Sequence, residues 1–161
     1  MPGMSDHNPG CAEPLMTVCE NPTDDVRQAI LAPLAAFNAE NGYLADARFL
    51  AITLTDPAGK IVGGLWGKTV YDWLFVDYLV VPPSMRGQKF GSKLMSTAER
   101  IALDRGCVGS WLTTFPFQAR GFYERLGYEM FGRLENSPGE NIRIFLRKRL
   151  RTQARSESPA T

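Results

Sequence analysis

The segment best suited to chemistry reads Leu79-Val80-Val81-Pro82-Pro83-Ser84-Met85-Arg86-Gly87-Gln88-Lys89-Phe90-Gly91-Ser92. An apolar, strand-like run stops at two prolines, a loop with two glycines follows, and apolar residues at helical spacing begin at Phe90. The first turn of any helix leaves backbone N–H groups unpaired, and the helix dipole adds partial positive charge there. Glycines let that backbone approach an anion closely. Arg86 adds a forked donor for phosphate oxygens, and Lys89 a second positive charge. The segment is built as a pyrophosphate cradle. The same physics serves other nucleotide folds, and an isolated glycine loop is equally an ordinary strand-to-helix turn. Neither the GxxxxGK[ST] of a P-loop nor the GxGxxG of a dinucleotide fold is present.

Upstream, Asp77 interrupts Phe75-Val76-Asp77-Tyr78-Leu79, a run otherwise apolar apart from the Tyr78 hydroxyl. A carboxylate buried there is costly unless it is paired or hydrogen-bonded. Period-2 alternation puts Asp77 on the same strand face as Leu79. It is either a proton acceptor working through water, a holder of an ammonium group, or a structural carboxylate paired with an arginine. Trp66, Tyr71, Trp73 and Trp111 concentrate aromatic rings near the same region, as walls for a sugar or cation or simply as core. Glu40, Asp72, Glu135 and Glu140 are secondary acidic candidates.

With 161 residues, the chain suits one domain of ordinary size. Its 18 basic and 17 acidic side chains, formal net charge +1, argue against nucleic-acid binding, which needs a strong basic excess. The terminal cluster from Arg143 to Arg155 reads as a solvated strand and tail. No apolar run is long enough to span a membrane, and Met1 to Glu13 does not read as a secretory signal, so a cytoplasmic protein is expected. Cys11, Cys19 and Cys107 form no CxxC pair and are expected reduced. The single histidine, His7, lies in a polar leader. A Ser-His-Asp triad or a histidine-rich zinc site is therefore not expected, and no metal is.

These groups must be positioned by a mixed α/β sheet. A flexible arm is expected over 1–14, a short strand over Leu15–Cys19, and a helix capped by Thr23 that Pro33 kinks or divides. Three strands follow, Arg48 to Thr55, Lys60 to Val70 and Trp73 to Val81, the last a central strand covered on both faces. Asp56-Pro57-Ala58-Gly59 is turn chemistry. A helix from Phe90, ended by Gly106, leads to a strand over Val108 to Thr114 and a short helix over Gln118 to Leu126. Two closing strands, Tyr128 to Leu134 and Asn141 to Leu150, flank a loop with Pro138-Gly139, and a tail over 151–161 completes the chain.

Over residues 15–150 the sequence resembles the GNAT N-acetyltransferases. Arg86-Gly87-Gln88-Lys89-Phe90-Gly91 is similar to their Arg/Gln-x-x-Gly-x-Gly/Ala signature, with Lys89 where glycine is usual. Ala119-Arg120-Gly121-Phe122-Tyr123-Glu124-Arg125-Leu126-Gly127-Tyr128 is similar to their Ala-x-x-x-Tyr helix leading into Leu-Gly-Tyr/Phe. The asparagine that often opens that segment falls near Pro116, and Gln118 is the nearest substitute. The resemblance implies a mostly antiparallel sheet of six to seven strands, splayed at the cofactor site, with helices on both faces. It implies acetyl-CoA as co-substrate, with Leu79 and Val81 pairing with the pantetheine arm. Arg86, Gly87, Gln88, Lys89, Phe90, Gly91 and Ser92 would take the phosphates, and Thr114, Gln118 and Tyr123 would line the other side of the splay. By the same resemblance Tyr123 is the acid for the leaving thiolate and the Val81 N–H the oxyanion donor. Asp77, Trp66, Tyr71 and Trp111 are the candidates for acceptor binding. The closing segment resembles a bacterial branch with small-molecule acceptors, some of them aminoglycosides acetylated at an amine, kasugamycin included. A protein or peptide N-acetyltransferase and a non-catalytic acyl-CoA-binding module are the alternatives. A homodimer through the closing strands is expected.

Overall fold

The computed structural model describes residues 14–44, 46–135 and 142–150. Outside them lie the expected arm (all but Pro14) with His7 and Cys11, the loop at Pro138-Gly139 with Glu140, and the tail over 151–161. The chain separates into two compact units, Met1–Gly42 and Tyr43–Thr161.

In the first unit, α1 spans Asp24–Glu40 behind Thr23, which takes an extended N-cap conformation without its hydroxyl accepting a side-chain cap bond. Pro33 leaves one helical bond unmade, yet the helix runs through it undivided. Both the Asn41 N–H and its side-chain amide donate to the Phe37 carbonyl, and Gly42 turns the chain with φ +81°. The strand expected over Leu15–Cys19 does not form. Leu15, Met16 and Val18 are each more than four-fifths exposed. Their residue types favour a strand, but a strand needs a neighbour to pair with.

The second unit holds β1 (Arg48–Thr55), β2 (Ile61–Val70), β3 (Trp73–Val80), a 3-10 turn (Pro83–Met85), α2 (Phe90–Asp104), β4 (Gly109–Thr114), α3 (Arg120–Arg125), β5 (Glu129–Leu134) and β6 (Arg143–Arg149). Six strands form one sheet in the order β1-β2-β3-β4-β6-β5. All neighbours are antiparallel except β3 and β4. The β1–β2 turn forms as its chemistry dictates: the Asp56 carboxylate accepts from the Ala58 and Lys60 N–H groups, and Gly59 takes φ +81°. Between β2 and β3, Tyr71 and Asp72 both adopt positive φ, 46° and 62°, as a two-residue hairpin turn demands. That conformation costs a residue with a Cβ more than it costs glycine. Asp72→Gly is expected to raise stability by about 0.5–1 kcal/mol, read as a higher urea midpoint at unchanged slope.

One face of the sheet carries the core. Leu74, Met95, Leu112 and Leu146 are fully buried, and α2 contributes Leu94, Met95, Ala98 and Ala102. Complete burial of such a side chain is worth about 1.5–3 kcal/mol. Helix α2 ends where Gly106, φ +91°, lets the Cys107 N–H reach back to the Ala102 carbonyl. The Tyr128 hydroxyl lies 2.9 Å from Ser110 Oγ on β4 and 3.1 Å from Glu99 Oε1 on α2. Lys148 Nζ of β6 donates to the other Glu99 oxygen at 2.7 Å. This network ties α2 to the centre of the sheet. Because Phe122 of α3 meets Gly91 at the start of α2, both helices of this unit reach the same face.

Candidate active site

Strand β3 is central, but only one of its faces is fully covered: Leu74 and Val76 are buried, while Tyr78 and Val80 are exposed. The expectation of two covered faces fails beyond Val76, and the reason is local. Gly67 pairs with Val76 and Trp66 with Tyr78, so Asp77 is the extra residue of a β-bulge. The bulge breaks the alternation, and Leu79 now pairs with the core residue Leu65. The period-2 argument placing Asp77 and Leu79 on one face therefore does not hold. The parallel ladder with β4 also stops here, its last pair being Val76 and Leu112. From Asp77 to Val80, β3 has no partner on the β4 side, and β4 continues alone on that side through Thr113 and Thr114. A gap lined by unpaired peptide groups opens within the sheet, and an extended, amide-bearing ligand would satisfy them.

The cradle closes the wide end of that gap. Arg86 Nε donates to the Val81 carbonyl at 3.3 Å, and Gln88 Nε2 to the Ser84 carbonyl at 3.1 Å, folding the loop back on itself. Gly87 takes φ +76°, and the position its Cβ would occupy is open space. Lys89 sits in the left-handed region, φ +63°, as the residue before α2. The helical ladder begins with the Lys93 N–H on the Lys89 carbonyl at 3.0 Å, so the N–H groups of Phe90, Gly91 and Ser92 precede it and face outward from the first turn. A Cβ on Gly91 would stand 3.1 Å from Phe122 and 3.8 Å from the Val81 side chain. The cradle, the end of β3 and α3 therefore meet at Gly91. An open loop with positive φ, outward N–H groups and Arg86 beside them fits a pyrophosphate.

On the far side of the gap, Gln118 Oε1 accepts from the Thr114 hydroxyl and the Phe115 N–H, both at 3.1 Å, fixing the end of β4. Tyr123 is buried in α3, with Phe122 and Tyr128 both edge-on to it at 5.1 and 6.1 Å. Burial raises the Tyr123 pKa, and burial followed by the Glu99 charge raises that of Tyr128. Both phenols ionise less readily folded than unfolded, where the value is about 10. Stability they contribute is therefore complete below pH about 10 and falls as pH rises beyond it. The expected result is a urea midpoint that drops between pH 9 and 11, with a shallower drop in Tyr128→Phe.

Asp77 is half-buried and makes no ion pair with an arginine among the described residues. Trp66 lies directly across from Tyr78, and Trp111 stacks on Phe75 at 4.0 Å beside the closed end of the gap. Tyr71 and Asp72 are in the hairpin turn at the opposite end of β3, and Glu40 is in α1 of the other unit. Sequence reasoning did not single out Phe75, Lys68 or Arg147, which the sheet register aligns with Trp111. No group of metal-ligating side chains occurs among the described residues. No helix among them is long and apolar enough to cross a membrane.

A sheet parted beside a phosphate cradle, with a buried phenol on the helix beyond, defines a protein class that binds a nucleotide-linked acyl arm. Residues 19–128 match the Acetyltransferase (GNAT) family. An acetyltransferase of Agrobacterium fabrum, Atu2258, is 39% identical over 126 residues, covering 78% of this chain and 91% of that protein. A blasticidin-S acetyltransferase of Streptomyces morookaense is 42% identical over 81 residues, half of this chain and 60% of that one. The crystal structure of a protein from Agrobacterium tumefaciens assigned as an acetyltransferase superposes with a TM-score of 0.75 at 35% identity, covering 84% of this chain and 98% of its own. The chain belongs to the GNAT acetyltransferase family and is an acetyl-CoA-dependent N-acetyltransferase. Among solved structures that share the fold, an aminoglycoside 6'-N-acetyltransferase is complexed with coenzyme A, and a protein of Bacillus anthracis assigned as a streptothricin acetyltransferase with acetyl-CoA.

Proposed function

We propose that the protein acetylates a primary amine of a small molecule, with the thioester arm of acetyl-CoA lying in the gap between β3 and β4. The observation that carries this reading is the end of the β3–β4 ladder at Val76 and Leu112, directly before the bulge at Asp77. Leu79 and Val81 offer backbone groups to the amide-bearing arm, and Thr114 and Gln118 bound its other side. Arg86, the N–H groups from Gly87 to Ser92 and the Lys89 ammonium receive the phosphates.

Aminolysis needs a neutral amine, a donor for the developing oxyanion and a proton for the departing thiolate. The amine nitrogen bonds to the acetyl carbon, the carbon–sulfur bond breaks, and sulfur takes the Tyr123 proton. Burial keeps that phenol protonated at neutral pH, so the proton is available when the thiolate forms. Asp77, bulged out beside the gap, orients the acceptor amine and takes its proton through a water. The Val81 N–H faces the oxyanion. Trp66 and Trp111 flank the acceptor, while Tyr71, in the hairpin turn at the far end of β3, stands away from it.

The proposed compartment is the cytoplasm, where acetyl-CoA is made and used. Edge strand β5 exposes Met130, Phe131 and Leu134, which supports a homodimer through the closing strands. Sedimentation at micromolar concentration is expected to find dimer, and a monomer alone would remove that part.

Free-thiol release from acetyl-CoA tests the function, with blasticidin S, kasugamycin, other aminoglycosides, polyamines, amino acids and a lysine peptide as acceptors. Turnover confined to one small-molecule class is the expected result. Turnover on the peptide alone would favour a protein N-acetyltransferase. Acetyl-CoA binding without turnover on any amine would favour a binding module.

A further inference from the structure

The sheet face away from α2 carries a row of side chains crossing all six strands. Register aligns Phe49 of β1, Lys68 of β2, Phe75 of β3, Trp111 of β4, Arg147 of β6 and Glu129 of β5. Phe75 and Trp111 are stacked at 4.0 Å with 23° between their planes, one residue short of the last β3–β4 pair. They form the closed end of the gap on this face. Lys68 Nζ lies over the Phe75 ring at 5.7 Å, half-buried. Arg147 lies over Phe131, and Arg149 over Trp73, whose indole covers Gly109 so closely that a Cβ there would collide with it.

Each of the three cations is held by a ring, and none makes an ion pair among the described residues. Glu129 stands across from Arg147 in register without pairing to it. The carboxylate beside the gap is Asp77, which the proposed reaction assigns to the amine. A half-buried ammonium without a carboxylate is poorly compensated, because a ring replaces only part of its lost hydration. Because the two rings are stacked on each other and Lys68 lies over Phe75 from the other side, what they offer an acceptor is apolar ring edges, against which a flat unsaturated body packs edge-to-face. A polycationic acceptor would meet like charge on this face, whereas an anionic group would be drawn to it.

We infer that the acceptor is an amine that also carries a flat, unsaturated body and an anionic group, with the body against Phe75 and Trp111 and the anion on Lys68. The inference rests on the acetyl-transfer reading above and narrows its acceptor from amines at large, disfavouring the polycationic aminoglycosides. It makes Lys68 a specificity residue, with Arg147 about three strand spacings away, roughly 14 Å, too far to share the same carboxylate.

The test compares kcat/KM for L-tryptophan, tryptamine and kanamycin in the wild type, Lys68→Met, Lys68→Arg and Arg147→Met, with acetyl-CoA binding measured calorimetrically in each. Methionine keeps the apolar stem over Phe75. Reading the tryptophan-to-tryptamine ratio between proteins cancels the intrinsic difference between the two amines. The expected ratio falls at least tenfold in Lys68→Met, through KM, and is restored towards the wild type in Lys68→Arg. Arg147→Met leaves it within about threefold. A ratio unchanged by Lys68→Met, the same loss in Arg147→Met instead, or kanamycin as the best acceptor would each overturn the inference. So would acetyl-CoA binding with no turnover on any of the three, or a dimer that Lys68→Met dissociates, which would assign this face to a second copy of the chain. Absence of acetyl-CoA binding in the wild type would sink the acetyl-transfer reading itself.

Discussion

Replacing Tyr123 by phenylalanine is expected to lower kcat about a hundredfold to a thousandfold, the usual worth of a positioned general acid. Acetyl-CoA affinity should stay within about twofold, because the ring that packs between Phe122 and Tyr128 is retained and only its hydroxyl is lost. The prediction depends on the thiolate needing a proton as it leaves. A thioester whose leaving group is already acidic gains less from that proton, so an acetyl donor with an aromatic thiol should recover most of the lost rate in Tyr123→Phe. A variant that kept full turnover on acetyl-CoA would make Tyr123 a packing residue of α3. Burial raises the phenol's pKa, so any alkaline fall in kcat from its ionisation belongs above the ordinary value of about 10.

Arg86→Ala is expected to weaken acetyl-CoA binding about tenfold to a hundredfold, since hydrogen bonds to charged groups contribute roughly 1.5–3 kcal/mol. Two contributions are lost together: the forked donor for the phosphates and the tie from Nε to the Val81 carbonyl that holds the loop. Arg86→Lys separates them by keeping the charge without the fork, and should recover only part of the affinity. Calorimetry at two salt concentrations checks the electrostatic part, which shrinks as ionic strength rises. Lys89→Gly makes the opposite trade. It releases a left-handed residue that has a Cβ, which should raise folding stability by about 1 kcal/mol, and it removes one cation from the cradle. A loss of affinity in Lys89→Gly would show that the departure from the family's glycine adds a phosphate contact.

Much of this fold is written locally. The turn at Asp56–Gly59 and the helix end at Gly106 follow from side-chain and backbone preferences within a few residues, and they form as expected. The strands form where apolar and β-branched residues alternate, with ends trimmed by a residue or two. The mostly antiparallel sheet was an expectation of the family resemblance carried by the motifs around Arg86 and Tyr123, whose physical sense is the exposed first turn of α2 and the phenol of α3; the order of the strands was not legible. What could not be read depends on neighbours distant in sequence. The bulge at Asp77 exists only relative to the register of Gly67 and Trp66, and it overturned an alternation argument that was sound for an unbulged strand. Leu15 to Cys19 has strand composition but no pairing edge. The row from Lys68 through Phe75 and Trp111 to Arg147 draws each member from a different strand, so no window of sequence contains it. Gln118 was noted as a substitute for a missing asparagine; its carbonyl oxygen in fact pins the end of β4.

The most direct test of the account is backbone amide exchange with and without acetyl-CoA, read residue by residue. Acetyl-CoA is predicted to slow exchange at Leu79 to Val81 and at Gly87 to Ser92, with β5 unchanged. Protection confined to other segments, or saturating acetyl-CoA that leaves both stretches exchanging freely, would contradict the placement of the thioester arm between β3 and β4.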